Sequence, residues 1–311
     1  IFKEILIQSL DKKYLGDIDY IADNDLLLLD KINETEHELV YSDVLDAFNT
    51  NLAKYPDNIL VSYNNQKYSY GEGAFIADVV AGKLAGLGVD AGDCVSFLVP
   101  RSEWYMFSIL GILSMGGVYV PLDDALPDER IKFMLNDTGS KVVIVSDETY
   151  GRVSNLGSDC TILNVSNIVS DDGDALSSLP TVAGDLACIL YTSGTTGVPK
   201  GVKITRKSIL NLVENYVDRC GLDNGDVYGL FSSIAFDAAS QAIAQSIYAG
   251  ACLSIIPEDI KFNMNKLNEY FIKYGVTHTI ITTQVSKLFV QSIDYTSIKN
   301  LCAVGEKLGA V

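Results

Sequence analysis

Short apolar runs alternate with helical-period segments of roughly 10–15 residues along most of this 311-residue chain. Strand patterns fall at 58–63, 66–70, 94–99, 118–122, 141–145, 227–232, 251–256, 276–281 and 301–304. Helical patterns fall at 73–87, 101–115, 128–136, 208–217, 238–248 and 265–274. Strands that alternate with helices bury both sheet faces, so the order predicts stacked βαβ units: an α/β fold with mostly parallel sheets. Asn64-Asn65, between the first two runs, marks a hairpin, and Gly88 marks a helix end. Gly86-Leu87-Gly88-Val89-Asp90-Ala91 fits the loose pattern G-x-G-x-x-A. Its glycines end a helix and precede a strand, the reverse of a dinucleotide site, so it reads as a helix stop. The acidic, Ser-rich stretch 170–178 reads as a loop, and no internal repeat has a fixed period.

Composition excludes several classes. Apolar residues make up 48% of the chain, which is enough for sizeable cores. A net charge of −17 with a pI near 4.4 argues against a nucleic-acid partner, since phosphate backbones require a basic face. Cys94, Cys160, Cys188, Cys220, Cys252 and Cys302 show no C-x-x-C spacing and sit mostly in apolar runs. They predict buried free thiols in a reducing, cytoplasmic setting. The only two histidines, His37 and His278, cannot build a metal site, and the strand pattern around His278 gives it a structural role. The apolar stretch 106–120 is interrupted by Gly111, Gly116 and Gly117 and is too short to span a bilayer. No signal peptide is visible, and a start at Ile1 suggests a piece of something longer.

The chemistry concentrates in Tyr191-Thr192-Ser193-Gly194-Thr195-Thr196-Gly197-Val198-Pro199-Lys200-Gly201, which follows the apolar strand 186–190. Gly194 and Gly197 place no Cβ between the backbone N–H groups and a polyanion. The hydroxyls and the Lys200 ammonium add phosphate donors, and Lys203 adds a second nearby charge. The segment is not a Walker A loop, because no Gly-Lys-Ser/Thr closes it.

This segment closely resembles the phosphate-binding signature of the adenylate-forming enzymes. Leu113-Ser114-Met115-Gly116-Gly117-Val118-Tyr119-Val120-Pro121-Leu122-Asp123 and Leu126-Pro127-Asp128-Glu129-Arg130-Ile131 resemble segments of nonribosomal peptide synthetase adenylation domains. They identify the family without carrying chemistry. The resemblance implies that Thr192, Ser193, Gly194, Thr195, Thr196, Gly197 and Lys200 hold ATP phosphates, with Lys200, Thr192 and Thr196 acting in catalysis. Phe236-Asp237 resembles the F-D segment whose carboxylate holds a substrate α-ammonium. Asp237 stands on a strand end that reads as buried, where a carboxylate needs a cation, and it can also cap the helix that follows. Alignment along that segment adds Ala238 and Gln241, and less securely Thr279, Cys302 and Val304, as substrate-binding residues. The stretch 303–308 is similar to a strand end that lies against adenine, which implies roles for Gly305, Glu306 and Lys307.

Residues 1–40 resemble a linker from a preceding condensation domain, and 41–311 a partial adenylation domain. The implied fold is the large N-terminal domain of the adenylate-forming enzymes, truncated before its end. The family's Mg²⁺-binding Glu, ribose-binding Asp and C-terminal catalytic Lys have no counterpart here. The isolated chain is therefore expected to be catalytically silent. The implied parent is a multidomain, cytoplasmic ligase. It uses ATP and Mg²⁺ to form aminoacyl-AMP and loads phosphopantetheine on a carrier protein, with no membrane or nucleic-acid partner. A free-standing amino-acid–carrier ligase or an acyl-CoA-ligase-like enzyme is the nearest alternative. A non-catalytic nucleotide-binding scaffold is the alternative of another class.

Overall fold

The two periods in the sequence separate into two sheets with helices on their faces. A computed structural model describes residues 2–18, 21, 23–166, 168, 178–192 and 198–307. Residues 170–177 of the acidic stretch, and Ser193, Gly194, Thr195, Thr196 and Gly197, lie outside the described residues. The chain divides into two compact units, 1–40 and 41–311. The first holds α1 (Phe2–Asp11) and α2 (Asp23–Asn33), and α2 exposes Leu26, Leu27, Leu28 and Leu29.

The second unit begins with α3 (Val44–Lys54), β1 (Ile59–Tyr63), β2 (Gln66–Ser69), α4 (Tyr70–Gly86), β3 (Cys94–Leu98) and α5 (Trp104–Ser114). It continues through β4 (Val118–Pro121), α6 (Asp128–Thr138), β5 (Val142–Val145), α7 (Asp147–Asn155), β6 (Thr161–Asn164), β7 (Leu186–Thr192) and β8 (Lys200–Thr205). Then follow α8 (Arg206–Cys220), β9 (Val227–Leu230), α9 (Asp237–Ala249), β10 (Cys252–Ile255), α10 (Met264–Tyr274), β11 (His278–Thr282), α11 (Thr283–Ser292) and β12 (Asn300–Val304). One sheet has the order β12-β11-β9-β10-β1-β2, the other β6-β5-β3-β4-β7-β8. All neighbours are parallel except β1 with β2 and β7 with β8. The runs β3 to β6 and β9 to β12 adopt the same spatial order, a repeat of topology with no repeat of sequence.

Local chemistry accounts for the boundaries. Asn64 and Asn65 take φ of 47° and 68°, the left-handed pair that a two-residue hairpin requires. Helix α4 starts at Tyr70, before the predicted 73. The Ser69 hydroxyl accepts from the Glu72 N–H, and the Glu72 carboxylate accepts from the Ser69 N–H at 2.7 Å, forming a capping box. Helix α5 starts at Trp104 rather than 101, and from Tyr105 to Ser114 every residue is buried. It lies so close to α4 that a Cβ on Gly111 would stand 2.8 Å from the Ala77 carbonyl oxygen. Arg206 at the start of α8 donates to Asp43 at 2.6 Å and to the Leu113 carbonyl at 2.7 Å, which joins α3, α5 and α8 in one buried contact.

His278 is fully buried, with Nε2 2.9 Å from the Asn300 amide, in keeping with a structural role. The expectation of buried thiols holds for Cys188; the other five cysteines are half-buried, and all six are free. Among the described residues no helix is long and apolar enough to cross a membrane.

The two sheets meet at their carboxyl edges. Arg101, just past β3, donates from Nε to the Ile256 carbonyl at 2.6 Å, from Nη1 to the Ser232 carbonyl at 2.9 Å, and from Nη2 to the Leu230 carbonyl. These acceptors end β9 and β10. Ser233 donates across the same seam to Asp123, which follows β4. Arg101→Met should remove three hydrogen bonds, leave the Leu230 carbonyl with only the Ile256 N–H, and lower the unfolding free energy by about 3 kcal/mol or more. Urea denaturation checks this, and a loss below about 1 kcal/mol would contradict the tie.

Asp226 is buried beside Lys299 at 2.7 Å. Burial pushes its carboxyl up, but Lys299, the Asp223 N–H, the Thr277 hydroxyl and the neighbouring His278 outweigh this and hold it below the ordinary carboxylate range. A depressed pKa stabilises the fold above the ordinary carboxylate value, and that stability is lost as pH falls through the folded value. Asp226→Asn should therefore cost about 1–3 kcal/mol at neutral pH and flatten the acid limb of stability. Urea titrations between about pH 7 and pH 3 test this; parallel curves for variant and parent would contradict it.

Candidate functional site

Parallel strands place their carboxyl ends on one edge, where the following loops and helix starts gather. Here two such edges face each other, and a cleft of about 590 Å³ opens between them. Leu190, Tyr191, Thr192, Val202 and Ile204 line it from the β7–β8 hairpin. Asp123, Leu126, Arg130 and Met134 line it from β4 and α6, and Ser233, Ala235, Phe236 and Asp237 from the segment entering α9.

The hairpin register pairs Thr192 with Lys200 and Leu190 with Val202. Because side chains alternate along a strand, Lys200 shares the cleft face with Val202 and Ile204, and Lys203 takes the opposite face. The expected joint charge of Lys200 and Lys203 therefore does not form on one surface. A Cβ at Gly201 would lie 2.9 Å from Ile189 and 3.2 Å from the Tyr191 ring, so the strand following the loop closes tightly only with glycine there. Tyr191 donates to Asp137 at 2.6 Å, which anchors the outgoing strand to α6.

Asp237 occupies the first turn of α9, where the helix dipole favours a carboxylate. It is exposed, accepts from the Ala238 N–H at 2.8 Å, and forms no ion pair among the described residues. The sequence placed it in a buried strand end. The strand stops at Leu230, however, and the intervening loop carries Asp237 out to the cleft wall. Phe236 is the N-cap residue and makes no side-chain cap bond; Asp237, at the next position, satisfies the first-turn Ala238 N–H instead.

The wall opposite is rigidly held. Arg152 donates to Asp128 and to the Asp124 carbonyl, each at 2.6 Å, and to the Leu126 carbonyl, which sets the β4–α6 loop. Arg130 lines the cleft, and its Nε is buried with no hydrogen-bond partner among the described residues. Behind the cleft, Lys261 lies 3.0 Å from both Glu258 carboxylate oxygens and 4.8 Å from the centre of the Phe231 ring. Burial, and then the charge of Arg101, lower its pKa.

Half-buried Ala238 and Gln241 follow Asp237 on α9. The parallel register pairs Ile280 with Cys302 and Thr282 with Val304, so those four share one sheet face. Thr279 points to the other face, is buried, and donates its hydroxyl to the Gly229 carbonyl at 2.8 Å. The structure therefore groups Ile280 with Cys302 and Val304, and leaves Thr279 out. Period-two alternation within 276–281 carried that signal. Gly305, with φ of 98°, and Glu306 follow β12 at the same carboxyl edge. Thr283 donates to the carbonyls of Val304 and Glu306, and the Gln284 amide donates to the Glu306 carboxylate at 3.2 Å. Lys307 is exposed beside them. None of Gly305, Glu306 and Lys307 lines the 590 Å³ cleft.

Arg101, Arg130, Asp123 and Ser233 had no place in the sequence reading of the site. The cleft offers the Thr192 hydroxyl on the hairpin side, whose face Lys200 shares by strand alternation, and on the α9 side a carboxylate with no ion pair among the described residues. That arrangement suits a ligand set carrying phosphates at one end and an ammonium at the other.

Residues 48–311 match the family described as AMP-binding enzyme. Surfactin synthase subunit 2 of Bacillus subtilis (strain 168) is 32% identical over 271 residues, 85% of this chain and 8% of that protein. Bacitracin synthase 1 of Bacillus licheniformis is 30% identical over 334 aligned positions, 99% of this chain and 6% of that protein. The chain thus spans less than a tenth of the length of these relatives. Among solved structures, the nonribosomal peptide synthetase FmoA3 bound to alpha-methyl-L-serine-AMP superposes with a TM-score of 0.86 at 22% identity. The superposition covers 99% of this chain and 36% of that one.

Proposed function

The chain belongs to the AMP-binding enzyme family, matching adenylation domains of nonribosomal peptide synthetases, and on that premise we propose that its cleft joins ATP to an α-amino acid. The product is aminoacyl-AMP, with pyrophosphate released, and the acyl group then passes to a phosphopantetheine thiol on a carrier protein. Residues 1–40 serve in this reading as the connector from a condensation domain, and the assembly works in the cytosol. One observation carries the reading: the exposed Asp237 carboxylate, with no ion pair among the described residues, faces the same cleft as Thr192 at the end of the phosphate-loop hairpin. The solved structure of FmoA3 holds an aminoacyl adenylate, a ligand with both an ammonium and a phosphate.

The roles follow from charge. Asp237 holds the ammonium and leaves the substrate carboxylate free. A carboxylate oxygen forms a bond to the α-phosphorus while the bond to the pyrophosphate oxygen breaks, with no proton to move. Thr192, Lys200 and the loop residues Ser193, Gly194, Thr195, Thr196 and Gly197 offset the phosphate charge. Positioning and electrostatics supply the rate. Gly305, Glu306 and Lys307 hold the adenine. Mg²⁺ accompanies the nucleotide phosphates; among the described residues no cluster of three metal-ligating side chains forms a cage for it.

Amino-acid-dependent exchange of labelled pyrophosphate into ATP, measured on the intact synthetase, tests the proposal. Lys200→Ala should slow exchange roughly 10- to 100-fold, the loss of one charge-assisted contact. Asp237→Ala should lower kcat/KM for the amino acid roughly 10- to 100-fold and leave KM for ATP little changed. Exchange that needs no amino acid, or that ignores both substitutions, would refute the assignment.

A further inference from the structure

Helix α9 carries a polar residue that the proposed reaction does not use. Ala238, Gln241 and Gln245 fall at i, i+3 and i+7 and so form one stripe. Ser240, Ile243, Ala244 and Ile247, on the other side of the helix, line a small separate cavity with Tyr119 and Arg206. The stripe therefore faces away from that cavity, on a helix that packs between α8 and the strands β9 and β10. Gln245 is fully buried, and neither its Oε1 nor its Nε2 has a hydrogen-bond partner among the described residues. On β9, the Tyr228 hydroxyl is buried beside that of Tyr216, neither with a partner in hydrogen-bonding geometry among the described residues, and Cys302 lies close by.

A buried carboxamide with no partner is costly, and natural cores seldom retain one without a use. Eight residues of helix put Gln245 about 12 Å along α9 from Asp237. Helical side chains lean toward the N-terminus, so the Gln245 amide reaches back toward Gln241. The remaining distance suits a long side chain on a substrate whose ammonium sits at Asp237.

We propose that Gln245 is a specificity-determining residue at the closed end of the amino acid pocket, selecting side chains that end in a neutral group able to donate and accept hydrogen bonds. A carboxamide is the best match, since Gln245 presents one donor group and one acceptor. Ala238 and Gln241 on the stripe, and Tyr216, Tyr228 and Cys302, offer no counterion, so a charged head would be desolvated unpaired. An apolar side chain would leave the amide unpaired. This inference rests on the adenylation reading and adds the substrate class.

The test is pyrophosphate exchange by the intact synthetase with glutamine, asparagine, serine, threonine, leucine, methionine, lysine and glutamate, for the parent and for Gln245→Met. The parent should favour the neutral hydrogen-bonding side chains. Gln245→Met should move the glutamine-to-methionine ratio of kcat/KM roughly 10- to 100-fold toward methionine. It should also keep or raise Tm, because a buried unpaired amide is removed. A parent preference for apolar or charged side chains overturns the inference even if the variant does not fold, and so does an unchanged ratio in a folded variant. Exchange with no amino acid at all would refute the adenylation reading, and this inference with it.

Discussion

Arg101 holds the structure's two sheets edge to edge, and the cleft exists because of it. Taking a guanidinium out of water is costly, and burial lowers its pKa. Three backbone carbonyls at the ends of β9 and β10 offset that cost, each a charge-assisted bond worth about 1.5–3 kcal/mol. The acceptors are main-chain atoms at strand ends; the Leu230 carbonyl also accepts from the Ile256 N–H, so Arg101 ties that β9–β10 pairing to the end of a strand in the other sheet. The Asp123–Ser233 contact repeats the tie a few residues away.

With the edges fixed, the chemistry has one place to gather. Helix starts and loop turns leave parallel sheets at their carboxyl ends, and both sheets present those ends to the same seam. The β7–β8 hairpin brings Thr192 to one wall, with Lys200 on the same hairpin face, and the start of α9 brings Asp237 to another. A chain of net charge −17 can still hold a polyanion there. Distant surface charge is screened beyond about 10 Å, while a lysine and backbone donors in contact act at full strength.

Much of the fold was legible because periods of 2 and 3.6 survive in single segments. Gly88 ended a helix as the decoy reading required, and Asn64-Asn65 made the hairpin turn. The errors have physical causes. Helix α4 began early because Ser69 and Glu72 satisfy each other's backbone, a signal present in the letters. Arg101 was placed inside a helix because the apolar period runs close behind it; its true role depends on carbonyls about 130 and 155 residues away, which no local window contains. β8 escaped notice because it is an exposed edge strand with lysines and a glycine. Thr279 was assigned to the pocket without the alternation that turns it away and brings Ile280 forward. Asp237 reaches the cleft wall, and its exposure depends on where β9 stops, which no local window shows.

The central claim is that one cleft holds phosphate and amino acid together, with Asp237 as the ammonium's partner. The most direct measurement is a crystal structure of the intact domain with a non-hydrolysable aminoacyl adenylate of an amino acid that supports exchange. The expected density has the ammonium within hydrogen-bond distance of the Asp237 carboxylate, the phosphate mimic beside Thr192, and the side chain running along α9. An adenylate bound outside the seam between the two sheets, or one whose ammonium lies away from Asp237, would contradict it.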